Sequence, residues 1–160
     1  MKKWIVVMVG LLAIDQVTKR LIAYYKINQE IIKGLFRLRY DRNPGMVFGF
    51  FQGATETHTF WLAGFAVLAL AIFIYLFLKI DLSDKRTTWL TLGISFLIAG
   101  TLGNAIDRLV QPSLGVIDFL DFYGIWSYNF NFADVYLNVG LGLFFIDAFF
   151  LEKQRVTSDE

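Results

Sequence analysis

Cysteine is absent from the 160 residues, and histidine occurs once. The first absence removes disulfides, thiolate zinc sites and a cysteine nucleophile. The second confines any Ser-His-Asp arrangement to His58, which sits in Glu56-Thr-His-Thr at the edge of an apolar run, where an interfacial histidine is the ordinary reading. Charge of one sign is lacking too. Lys and Arg number 15 against 14 Asp and Glu, a net charge of +1, so there is no electrostatic case for nucleic acid. Hydrolytic chemistry, if present, has carboxylates to run on.

What is present in excess is apolar surface. Hydrophobic residues make up 56% of the chain and mean hydropathy is +0.53, above a soluble domain's usual composition and in the membrane class. The length suits a single domain over residues 1–160.

Met1-Lys-Lys followed by Trp4 to Ile14 has the start of a secretory signal peptide, but no small-x-small cleavage site follows. Residues 4–25 read as one uncleaved spanning helix interrupted by Asp15-Gln-Val-Thr-Lys19-Arg20. Asp15 and Lys19 are four apart on one helix face, either paired or snorkelling at the surface. Further spans are expected at 60–78, 87–106 and 131–151. Lys79 to Arg86 forms a charged loop between the second and third. Four spans put both termini on one side. The positive-inside rule does not orient them, because Lys and Arg balance across the two sides.

Residues 27–53 are too polar to span. Leu35-Phe-Arg-Leu-Arg-Tyr40 alternates apolar and basic with the period of a half-exposed strand. Asn43-Pro44-Gly45 suits a type II turn, and Met46 to Phe51 resumes as a second strand, a small hairpin or sheet at the membrane surface. The better reading of Arg42 and Asn43 on spacing alone is as ordinary turn residues.

Acidic and amide side chains gather between Gly100 and Asp134. Asn104, Asp107 and Arg108 share a helix face at i, i+3 and i+4. Asp107 and Arg108 suit the charged end of a span, whereas Asn104, a turn deeper, is costly in hydrocarbon without a partner. Gly100 and Gly103 permit close approach of a helix or a substrate backbone, or plain packing. Asp118 lies in a short apolar stretch between the third and fourth spans, with Asp121 as a competitor. Asn131 and Asp134 suit an N-cap and a first-turn acid favoured by the helix dipole. The alternative is that Asp118 and Asp134 meet. Two close carboxylates share a proton, so that one acts as general base on water and the other as general acid. A small transporter or proton-conducting subunit, with Asp15, Asp118, Asp134 and Asp147 as relay sites, is the competing reading. A structural membrane scaffold is the blandest.

The blocks Asp15-Gln-x-Thr-Lys19, Arg42-Asn43-x-Gly45, Gly103-Asn104-x-x-Asp107-Arg108, Val116-Ile-Asp118-Phe119 and Asn131-x-Ala133-Asp134 together resemble the bacterial lipoprotein signal peptidase (signal peptidase II) family. The resemblance covers nearly the whole chain. It implies an α-helical integral membrane protein of four transmembrane helices with a small extracytoplasmic β-sheet that cradles the substrate. It implies an intramembrane aspartyl endopeptidase that removes signal peptides from diacylglyceryl-modified prolipoproteins, cutting before the lipidated cysteine. By motif position Asp118 and Asp134 are the catalytic pair. Asp15, Lys19, Asn43, Gly103, Asn104, Asp107, Arg108, Asn131 and Ala133 line or support the pocket. No metal or cofactor is implied. The expected setting is the bacterial cytoplasmic membrane, with both termini cytoplasmic and the site near the extracytoplasmic face. Expected partners are prolipoproteins, membrane lipids and globomycin-type inhibitors, with a monomeric enzyme. The chain departs from the family pattern in a slightly long Arg108–Asp118 segment containing Pro112 and in Val135, where a small or hydroxyl residue is common.

Overall fold

The computed structural model describes residues 1–44, 56–111 and 115–151. In chain order the elements are α1 (Lys2–Tyr25), β1 (Asn28–Ile32), β2 (Phe36–Asn43), α2 (Glu56–Lys79), α3 (Thr88–Val110), β3 (Val116–Asp121) and α4 (Phe132–Ile146). α4 widens into a π-helical turn over Asp147–Leu151. The second strand expected at Met46–Phe51 lies outside the described residues, as does Gly45 of the expected turn.

α3 is the central helix and packs against α1, α2 and α4. Small residues let it do so. A Cβ on Gly100 would sit 2.6 Å from the Ala133 carbonyl oxygen of α4, so the two backbones are nearly in contact there. This is the small-residue approach by which helices associate where no hydrophobic effect separates helix from lipid. α2 shows the opposite character. Its apolar stretch is 11% buried, and Phe60, Trp61, Phe65, Leu68, Ile72 and Leu78 project outward. Exposed apolar area on that scale marks a surface made for lipid.

Among the described residues, three helices are long and apolar enough to cross a membrane: Phe60–Lys79, Lys85–Val110 and Phe132–Phe149. α1 matches them in length but carries Asp15, Lys19 and Arg20. α3 continues a turn beyond the expected end at Ile106, taking Asp107 and Arg108 into the helix. Asp107 does not terminate the span because a lysine from α1 meets its charge.

The sheet is antiparallel in the order β1-β2-β3. β1 and β2 form a hairpin around Gly34, whose φ of 75° is a left-handed conformation that glycine adopts without strain. The turn therefore precedes the strand expected at Leu35–Tyr40. β3 was expected as a connecting stretch. Its residues are almost all buried, so it has no period-2 alternation to reveal it. Its register against β2 sets Asp41 opposite Asp118 and Asn43 opposite Val116. That pairing carries Asn43 and Asp118 to the same end of the sheet.

Candidate active site

The supporting floor comes from α1 and α3. Asp15 and Lys19 are both fully buried, and the Lys19 Nζ lies 3.0 Å from carboxylate oxygens of Asp15 and Asp107. The same ammonium donates to Asn104 Oδ1 at 3.0 Å, so its three donors all find acceptors. Of the two readings of Asp15 and Lys19, the structure realises the buried pair. A Cβ on Gly103 would lie 2.6 Å from Asp15 Oδ2, so glycine is what admits the carboxylate to this face of α3. Asp15 Oδ1 accepts from the backbone N–H of Ala133 at 2.9 Å, tying α1 to the first turn of α4.

On this floor stand two carboxylates. Asp134 lies in the first turn of α4, where Asn131 caps the helix: Asn131 Oδ1 accepts from the Asp134 N–H at 3.1 Å, and the Asn131 N–H donates to Asp134 Oδ2 at 3.0 Å. The capping reading and the paired-acid reading are thus compatible, since the cap fixes where the acid points. Asn104 Nδ2 donates to the other oxygen, Asp134 Oδ1, at 2.8 Å. Asp118, on β3 and 3% exposed, receives Asn131 Nδ2 on Oδ1 at 2.7 Å and Asn43 Nδ2 on Oδ2 at 3.0 Å. Three asparagines and one backbone amide therefore place one donor on each of four carboxylate oxygens, and Asn131 touches both acids.

Burial and the neighbouring Asp134 carboxylate raise the Asp118 pKa to about 7, against the opposing pull of the Asn43 and Asn131 amides. At neutral pH such a group exchanges its proton readily, as general acid–base work requires.

Both carboxylates border a cavity of about 590 Å³ whose wall also includes Asn43, Asn104 and Arg108. The sequence reading missed the far wall: Trp126, Tyr128, Asn129 and Phe130 from the β3–α4 connection, and Val135, Asn138 and Val139 from α4. Asn129 Nδ2 anchors that connection to Asp41 at 2.9 Å. Arg42 is more than a turn residue. It donates to the Gly115 carbonyl at 3.1 Å and to Gln111 Oε1 at 2.5 Å, clasping β2 to the segment before β3.

Asp121, the competitor, points elsewhere and pairs with Arg37 at 2.6 Å and Arg39 at 3.4 Å. Asp107 and Arg108 are neighbours in sequence with separate jobs. Asp107 meets Lys19 and, at 3.5 Å, Arg20. Arg108 donates to the Asn104 carbonyl at 3.3 Å and faces the cavity. Asp147 is buried near the far end of α4, remote in sequence from the cluster. Among the described residues no group of three His, Asp or Glu side chains is arranged to hold a metal ion.

A sequence profile of signal peptidase II matches residues 7–150. The chain belongs to the signal peptidase II family. Similar members include the lipoprotein signal peptidase of Fusobacterium nucleatum, 36% identical over 91% of this chain and 86% of that one. That of Brevibacillus brevis is 35% identical over 91% and 93%. A solved bacterial membrane enzyme superposes with a TM-score of 0.78 at 28% identity, over 100% of this chain and 92% of that one. Membership of the signal peptidase II family covers every block on which the resemblance rested.

Proposed function

We propose that this chain is an intramembrane aspartyl endopeptidase that removes the signal peptide from diacylglyceryl-modified prolipoproteins, with Asp118 and Asp134 as its catalytic pair. One observation carries the reading: two acids from different elements, each oriented by asparagines, border one cavity at the ends of apolar helices. A water held between them loses a proton to the ionised acid and attacks the scissile carbonyl carbon. The protonated acid gives its proton to the carbonyl oxygen. The resulting gem-diol collapses, the C–N bond breaks, and the departing amine takes a proton from the pair. The products are the signal peptide carboxylate and a lipoprotein whose first residue is the lipidated cysteine.

Arg108, fixed to the Asn104 carbonyl, places a permanent positive charge on the cavity wall, suited to holding a substrate carbonyl. Lys19, Asp15, Asp107, Gly103 and Ala133 support the acids from beneath. α1 completes a four-span bundle, because its Asp15–Lys19 pair is neutralised inside the protein and its outward face shows Val6, Val9, Val17 and Leu21. Both termini then lie in the cytoplasm and the sheet lies outside. A substrate that is already lipid-anchored reaches the cavity laterally from the bilayer, past the exposed Val139 of α4. The working unit is a monomer in the cytoplasmic membrane, and globomycin-type peptides occupy the same cavity.

The test is a gel-shift cleavage assay on one prolipoprotein, with and without its diacylglyceryl cysteine, using the natural chain and Asp134→Asn. Cleavage of the lipidated form alone, lost in the variant, is the expected result. Failure of well-folded natural enzyme to cut either form would move the transporter or proton-conducting reading ahead of the peptidase.

A further inference from the structure

Asn138 is the polar residue on α4 that neither the fold nor the acid pair uses. It stands on an exposed face of the membrane-capable stretch Phe132–Phe149, beside the exposed Val139, and it lines the same cavity as Asp118 and Asp134. Its Nδ2 donates back to the Asp134 carbonyl at 2.8 Å. That bond turns the amide's nitrogen back onto its own helix and uses one of its two N–H donors. The acceptor end, Oδ1, has no partner among the described residues. An unsatisfied carboxamide oxygen at an apolar surface is costly, and the cost falls when a donor arrives from outside.

Position says what that donor is. Asn138 lies one turn beyond Asp134, about 6 Å along the helix at roughly 1.5 Å per residue. An extended peptide advances about 3.3 Å per residue. A substrate whose scissile bond sits at the acids, and whose apolar signal segment follows α4 into the hydrocarbon, passes Asn138 about two residues upstream of the cut. Every residue there except proline offers a backbone N–H, and one turn beyond Asp134 the α4 wall offers Asn138 between the apolar Val135 and Val139. We infer that Asn138 is a substrate-positioning residue whose Oδ1 accepts a backbone N–H of the signal peptide about two residues before the cleavage point, holding that strand extended along α4.

This rests on the proposed peptidase activity, and the experiment separates the two. Synthetic diacylglyceryl lipopeptides carry a single N-methyl group at each of the three residues before the cleavage point in turn. Each is cleaved by the natural enzyme, by Asn138→Leu and by Asn138→Ala. For the unmethylated peptide both variants raise KM about two- to tenfold with kcat little changed, the signature of an interaction present equally in ground and transition states. N-methylation at one position imposes a similar loss on the natural enzyme and no further loss on either variant. Thermal melts accompany the kinetics, and the alanine variant, which adds no bulk, carries the test should leucine disturb the fold. Equal N-methyl penalties in natural enzyme and variants overturn the inference, as does unchanged KM. No cleavage of any lipopeptide by the natural enzyme overturns the peptidase reading instead.

Discussion

Lys19 shows at the scale of one residue how the site is held together. Its ammonium is enclosed by Asp15, Asp107 and Asn104, all buried. Removing one partner of such a cluster leaves uncompensated charge in a low dielectric and costs about 3–5 kcal/mol, whereas the intact cluster contributes far less net stability. Lys19→Met is therefore expected to lower the detergent melting temperature sharply and to abolish cleavage. A Lys19→Met/Asp15→Asn double variant should recover part of the melting temperature, and thermal melts of the three proteins check this. Asp118 makes a second prediction, about pH. An unfolded aspartate titrates near 3.9, while burial and Asp134 lift the folded value to about 7. Between about pH 4 and 7 the folded state binds more protons than the unfolded one, so this group's contribution to stability is present at the acid end and is lost as pH rises through 7. Asp118→Asn has no such titration. Its melting temperature relative to the natural enzyme should climb from pH 4 to pH 8, above a constant offset from mispairing with the Asn43 and Asn131 amides. A flat difference across that range would show that Asp118 titrates normally.

Among the elements, α1 and α3 meet through Gly103, and substitution there should be disproportionate. A Cβ would press on Asp15 Oδ2 at 2.6 Å, while Gly10 on the same α1 has nothing within 4 Å of its own ideal Cβ. Gly10→Ala is expected to raise the melting temperature slightly, by the helix preference of about 0.5–1 kcal/mol for alanine over glycine. Gly103→Ala should lower it despite the same preference, with loss of cleavage, as melts and the gel-shift assay would read. The apolar helices and the order of the acids were legible in the sequence, because length, hydropathy and motif spacing are local properties. The sheet was only half legible. Phe36–Asn43 alternates visibly, but every residue of β1 is exposed and nearly every residue of β3 is buried, so neither carries a period. The far wall of the cavity was invisible for a related reason. Trp126 to Phe130 forms no long regular element and is positioned by Asn129 reaching Asp41 and by Phe130 bridging Leu120, contacts that spacing does not encode.

As a whole the molecule sorts its polarity along one axis. Opposite the acids, α2 and α3 are joined by a short charged connection in which Asp84 caps the turn Lys85–Thr87 and pairs with Arg86 at 2.9 Å. The sheet, the cavity and the acids lie at the other ends of the helices, where β2 and β3 meet α1 and α3. If α1 spans with the other three, Lys2 at the start of α1 and the hairpin turn at Lys33 face opposite sides of the membrane. The absence of cysteine makes this directly measurable, since a single introduced thiol is the sole target of a maleimide. Lys2 and Lys33 are both exposed. In intact cells with the outer barrier opened, Lys33→Cys is expected to react with a membrane-impermeant maleimide, and Lys2→Cys to react only after the cytoplasmic membrane is permeabilised. Labelling of both thiols from the same side would place α1 on the membrane surface and leave three spans. The substrate's spanning segment would then have one fewer helix to lie against. Cleavage by both variants must be retained for the labelling to report the working enzyme, and neither position touches the acid pair or its supports.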